Sequence, residues 1–142
     1  MSTTEYGAPA ELEYTVHGGW AMALSRLIDS YGCDSEQLFL RCDLALGEIR
    51  DSQVRVPEKN MSRVWNLAAE EIGDPAFGLE MHRFITPTTF HALGVALWSS
   101  SSLYDALVRL SRYGKVLSNA GVKTFEEIED SFCLTISIFH DT

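Results

Sequence analysis

The sequence predicts an α+β domain, mostly helical with about six helices, followed by an antiparallel β-hairpin whose sheet is truncated where the chain stops. Three observations carry this prediction. Apolar residues recur at steps of three and four from Trp20 to Tyr113, which places them along single helix faces. That run is punctuated by Gly32, Gly73, Asp74-Pro75, Thr86-Pro87-Thr88 and Ser99 to Ser102, residues that stop and start helices. From Phe132 the period drops to two, the repeat of a strand.

Residues 1–15 read as a flexible leader, polar and without a sustained period, and residues 16–142 as one domain. Trp20, Leu24, Leu27, Ile28 and Tyr31 share the face of a first helix, which Gly32 closes because glycine takes the left-handed conformation freely. Asp34 or Ser35 caps a short second helix carrying Leu38 and Phe39, with Cys42 continuing its face and Gly47 in the exit loop. Arg50 to Pro57 is a polar connector in which Val54 and Val56 pack as a short extended segment. Pro57 opens a third helix with the stripe Met61, Val64, Trp65, Ala68 and Ile72. Gly73 ends it. Asp74-Pro75 starts the next, from Ala76 to Arg83, with a carboxylate for the orphan amides and a proline suited to the first helical position.

Either threonine of Thr86-Pro87-Thr88 is placed to cap the next helix. Phe90, Leu93, Gly94, Leu97 and Trp98 form its stripe, and Ala92, Val95 and Ala96 fill in around it. A helix apolar almost all round is expected at the centre of the fold. Ser102 with Asp105 three residues on caps the last helix, Leu103 to about Asn119, which is expected to bury Leu103, Leu107, Leu110 and Leu117 with Ala106 and Tyr113 alongside. Val122 to Ile128 is a weaker strand, joined through Glu129-Asp130-Ser131 to the alternating run Phe132–Phe139. A lone hairpin is marginal. Its apolar outer face, including Phe139, is therefore expected to be covered by sheet beyond Thr142 or by pairing across a dimer.

Composition narrows the function classes. With 20 acidic and 11 basic residues the net charge is -9, whereas a duplex-binding module neutralises roughly 6–10 phosphates with lysine and arginine. No apolar run approaches the roughly 20 residues of a membrane span. The acidic N-terminus is no secretory signal, so the expected compartment is cytoplasmic. Cys33, Cys42 and Cys133 lack C-x-x-C spacing and read as free thiols buried as small hydrophobes. His17, His82, His91 and His140 make no H-E-x-x-H pattern and no pair three or four apart, so no metal site is expected, although His82 and His91 flank the same proline-broken loop. There is no G-x-S-x-G elbow, Gly18-Gly19 lacks the strand and third glycine of a phosphate cradle, and Glu70-Glu71 and Glu126-Glu127 read as solvated. No catalytic constellation and no cofactor are expected; the chain does not read as an enzyme.

Binding is better represented. Arg109, Arg112 and Lys115 lie within about one third of a helix circumference, either as an exposed face complementing the helix dipole or as an anion-facing patch. Trp20 and Trp65 read as core anchors. Trp98 ends the most apolar helix beside a polar serine turn, and an apolar wall with a few convergent polar groups is the make-up of small-ligand pockets. His91, Trp98, Arg112 and Tyr113 are the expected ligand-binding or coupling residues, in the space between the last two helices.

Arg55-Val56-Pro57, Gly73-Asp74-Pro75 with Gly78-Leu79, Leu93-Gly94 with Ala96-Leu97, then Ser99, Ser102-Leu103, Ala106-Leu107, Leu110 and Arg112-Tyr113 stand in a characteristic order. In that order the chain resembles the N-terminal effector domain of AraC-type transcriptional regulators, in the branch with a mostly helical arabinose-binding-type domain. The resemblance runs from about Trp20 to Asn119 and continues loosely into the strands. It implies a bacterial cytoplasmic regulator whose N-terminal part senses a small-molecule effector and often supports homodimerisation. DNA is then bound only through a C-terminal domain with two helix-turn-helix units, which this chain lacks. Residues 16–142 are accordingly expected to be a regulatory domain, incomplete at its C-terminus. The alternative is a dimerisation or protein-interaction module without a small-molecule ligand. The family has no single pocket motif to map onto these residues.

Overall fold

The computed structural model describes residues 13–50 and 54–139; residues 1–12 of the expected leader and His140 lie outside them. A short ribbon organises the first half. Strand β1 (Thr15–His17) pairs antiparallel with β2 (Arg55–Pro57), setting Val16 opposite Val56 and His17 opposite Arg55. Helix α1 (Gly18–Ser30) leaves this ribbon and is flanked by α2 (Ser35–Leu40), α3 (Leu46–Ile49), α4 (Glu58–Ile72) and a 3-10 segment, Phe77–Phe84. Leu24, Leu27, Ile28, Leu38, Phe39, Cys42, Val56 and Val64 are sealed from solvent and form the main core.

Most of the punctuation works as read. Gly32 and Gly73 take φ values of 78° and 75° at their helix ends. The Gln37 amide donates to Asp34 at 3.1 Å, capping α2, whereas Asp74 accepts the Ala76 amide at 2.8 Å in a turn ahead of the next helix and does not cap it. Three further local expectations are corrected. Gly47 belongs to α3 rather than a loop. The segment after Asp74-Pro75 winds as a 3-10 helix that buries Phe77 and Met81, although their spacing of four is the α-helical repeat. Neither Thr86 nor Thr88 caps the next helix: Thr89 instead accepts the Thr86 amide at 2.8 Å, closing the turn on itself.

Helix α5 (His91–Trp98) is peripheral, not central. It buries only Leu93 and Gly94, and Trp98 is 78% exposed. Helix α6 (Leu103–Tyr113), capped by Ser102 as expected, buries nothing fully; a 3-10 turn, Gly114–Val116, replaces its expected last turn, and Leu103 is 75% exposed. The reason is layering. α5 and α6 pack on each other and α6 on the hairpin, so only Phe90, Leu93 and Leu117 reach a second, small core, against Trp20, Ile85, Leu97 and Leu110.

The hairpin pairs β3 (Gly121–Ile128) with β4 (Ser131–Ile138) from Gly121↔Ile138 to Ile128↔Ser131. Its apolar face turns inward, contrary to the expectation of an apolar outer face. Phe125 and Phe132 meet Tyr104 of α6 with ring centroids 5.5 and 5.1 Å away, while Thr124, Glu126, Thr135 and Ser137 point the other way. Phe139 follows the strand and packs near Tyr14. The helices cover this inward face only in part, leaving Phe132, Ile136 and Ile138 exposed. The three cysteines are free, with Cys42 buried and Cys33 and Cys133 half-buried.

Candidate functional site

Two cavities lie back to back across β1, because adjacent strand residues face opposite ways. Val16 lines a cavity of about 330 Å³ beneath the hairpin, and His17 lines a cleft of about 500 Å³ between the ribbon, α5 and the end of α6. The same alternation recurs at the 3-10 turn, where Leu117 faces the first and Val116 the second. Trp20 and Phe90, with ring centroids 4.9 Å apart, complete the partition.

The cavity beneath the hairpin draws its walls from both halves of the fold. Trp20, Met61 and Trp65 come from the helices, and Ile136 and Ile138 from β4. Glu58, Ser62, Ser118 and Lys123 are the ionisable and hydroxyl-bearing residues among its lining. The Ser62 hydroxyl donates to the Glu58 carboxylate one helical turn away. Lys123 reaches the Gly114 carbonyl at 3.5 Å, and burial lowers its affinity for the proton. An apolar chamber with a few polar groups has the make-up of a small-ligand pocket.

The cleft is chemically different. His17 ends β1, is 9% exposed, and accepts the Gly19 amide on Nδ1 at 2.9 Å, which makes it the cap of α1. Its ring lies 5.3 Å from His91 and edge-on to Phe90 at 5.7 Å. Opposite it on β2, Arg55 donates to the Thr15 hydroxyl at 2.7 Å, the Thr15 carbonyl at 2.9 Å and the Val116 carbonyl at 2.6 Å. These bonds clamp the ribbon to the 3-10 turn. His91 opens α5 with φ at 50°, a left-handed conformation costing a β-carbon-bearing residue on the order of 1–2 kcal/mol. Gly19 lets α1 approach the Thr89 backbone more closely than any side chain allows.

Burial, then the charges of His91 and Arg55, hold the His17 imidazole below the ordinary histidine range. The unfolded chain therefore binds more protons than the folded one between the folded value and about 6.5, and stability rises with pH across that window. Acidification below neutrality is expected to lower the urea midpoint. His17→Asn, which keeps an oxygen for the cap, should flatten that part of the profile.

Of the four residues expected from sequence, the structure brings His91 and Tyr113 together in the cleft. Arg112 stands apart, beside Lys115 and Lys123 around a hollow of about 60 Å³, and Trp98 lines neither cavity. Arg109 donates to the Ala96 carbonyl at 2.6 Å and the Ser100 hydroxyl at 3.1 Å, tying α6 to the end of α5 rather than facing an anion. His17, Arg55, Glu58 and Lys123 escape a reading of the sequence. Their signal is weak: a histidine directly before Gly18-Gly19, and an arginine in a short Val-x-Val segment.

No three His, Cys, Asp or Glu side chains converge as a metal site among the described residues, and no helix among them is long and apolar enough to cross a membrane. No curated protein matches the chain. A family model described as the arabinose-binding domain of AraC transcription regulators, N-term, matches residues 32–141, from the end of α1 through the hairpin. That family is regulatory and ligand-binding, not enzymatic. The match spans well over half of the sequence, and the chain belongs to the N-terminal arabinose-binding domains of AraC transcription regulators.

Proposed function

We propose that this domain senses a small-molecule effector in the cavity beneath the hairpin and passes its occupancy to a C-terminal helix-turn-helix domain outside this chain, in the bacterial cytoplasm. The observation that carries the reading is the origin of the cavity walls, α4 and β1 on one side and the hairpin on the other. A ligand there touches both parts at once, and it can shift a regulator only by binding one arrangement better than another.

The test is a metabolite screen by thermal unfolding of this chain, read alongside the fluorescence of Trp20 and Trp65. An effector at about 100 times its Kd adds about 2.7 kcal/mol of stability. Ile136→Trp, which places an indole in the cavity from a tolerant strand position, should abolish the shift. A hit that stabilises this variant as well as the wild type, or that leaves DNA binding by the full-length regulator unchanged, would refute the assignment.

The partly covered face at Phe132, Ile136 and Ile138 favours a second role, association with another copy or a protein partner. Sedimentation over a range of concentrations checks the homodimer: a strictly monomeric chain speaks against it.

A further inference from the structure

We propose that the cleft between His17, Arg55 and His91 is a second ligand site, separate from the effector cavity, and that it takes an organic carboxylate with an apolar body. Its basic groups come from three elements, β1, β2 and α5, and none of its lining residues among those described is acidic, in a chain of net charge -9. His17 is nine-tenths buried as a residue, and its Nδ1 is already spent on the Gly19 amide. The neutral ring therefore carries its proton on Nε2. That atom has no partner among the described residues, and since no buried side-chain nitrogen or oxygen among them is left unsatisfied, it is accessible, on a residue that lines the cleft.

Arg55 sharpens the need for an anion. All three of its hydrogen bonds go to neutral oxygens, and no described carboxylate lies within ion-pair distance. Its positive charge is held in place by the backbone without being neutralised. A carboxylate entering the cleft supplies the missing charge and an acceptor for Nε2. Phe90, Leu93, Ala96, Tyr113 and Val116 supply the surroundings for an apolar body, and about 500 Å³ is room for a metabolite rather than a bare inorganic ion. Two imidazoles with no third ligand make a poor metal site.

Binding is expected to strengthen on mild acidification. His17 faces His91 from α5, Arg55 from β2 and Tyr113 from α6, with no carboxylate among them, and a bound anion reverses their repulsion. The carboxylate itself stays ionised throughout the histidine range.

The experiment titrates the 142-residue chain with 4-phenylbutyrate, its neutral amide and inorganic phosphate, by calorimetry and by NMR of the histidine ring protons. The acid should bind at least about tenfold tighter than the amide, the difference one charge-assisted contact makes, and should move the His17 and His91 resonances. His17→Asn and His91→Asn, each checked for an unchanged fold, should each remove that advantage. Equal binding of acid and amide overturns the anionic class. Phosphate binding as tightly as the acid overturns the apolar body. Perturbation of Ile136 and Ile138 instead of the histidines overturns the placement, though it would favour the effector cavity. Failure of all three probes to bind overturns the proposal.

Discussion

Phe39→Ala should unfold at a much lower urea concentration than the wild type, a loss of about 3–5 kcal/mol. Phe39 is sealed from solvent in α2 and belongs to the cluster that contains Leu24, Leu27 and Ile28 of α1. Truncation removes the transfer energy of a whole ring and leaves a void that the surrounding helices cannot fill, since interiors are close-packed. Against a total stability of about 5–15 kcal/mol, that is a large share. Leu40, the next residue, is 51% exposed, and its replacement by alanine should stay within about 0.5 kcal/mol. Equal midpoints for the two variants would mean that α2 turns the wrong face inward.

Gly19→Ala should cost about 1–3 kcal/mol and, unlike the core variant, should also distort the basic cleft. An added Cβ would penetrate the Thr89 carbonyl oxygen and lie 2.9 Å from His17 Nδ1. Both neighbours are fixed, one by the backbone and the other by its bond to the Gly19 amide itself. The strain can be relieved only by parting α1 from the Thr86–Thr89 turn, which carries His91 away from His17. Gly47→Ala is the control: its added Cβ meets nothing within 4 Å in α3, and reduced freedom of the unfolded chain should make it neutral or stabilising by about 0.4–1 kcal/mol. Urea unfolding of both, with calorimetry of the first against 4-phenylbutyrate, checks the pair. A Gly19→Ala protein as stable as the wild type would mean that the close approach is absent in solution.

Helices α1, α2 and α4 are legible in the sequence because each signal is local, whereas α3 is a single turn, too short to leave a period. A stripe such as Met61, Val64 and Ala68 and a stop such as Gly73 lie within a few residues of the helix they determine. The winding of Phe77–Phe84 is not legible, since Phe77, Met81 and Phe84 follow the α repeat while the backbone winds as a 3-10 helix. Nor is the place of α5. Apolar content says what a helix would bury, whereas the number of layers around it decides what it does bury, and Trp98 finds no layer above it. The histidines illustrate a third limit. His17 and Arg55 become neighbours only through a ribbon three residues long, too short to leave a period in the sequence. His91 and Tyr113 can be found because they flank the space between the last two helices, and Arg112 is turned away from that space by one residue of helical rotation.

Strand β1 divides the molecule by parity. Odd and even positions along three residues serve different chemistry, Val16 an apolar chamber and His17 a basic one. Substitutions there affect one compartment at a time, but a change of length does not. Deleting or inserting a single residue in the ribbon would turn the imidazole into the apolar chamber and an aliphatic side chain toward Arg55. The ribbon can therefore vary in composition across evolution far more readily than in length.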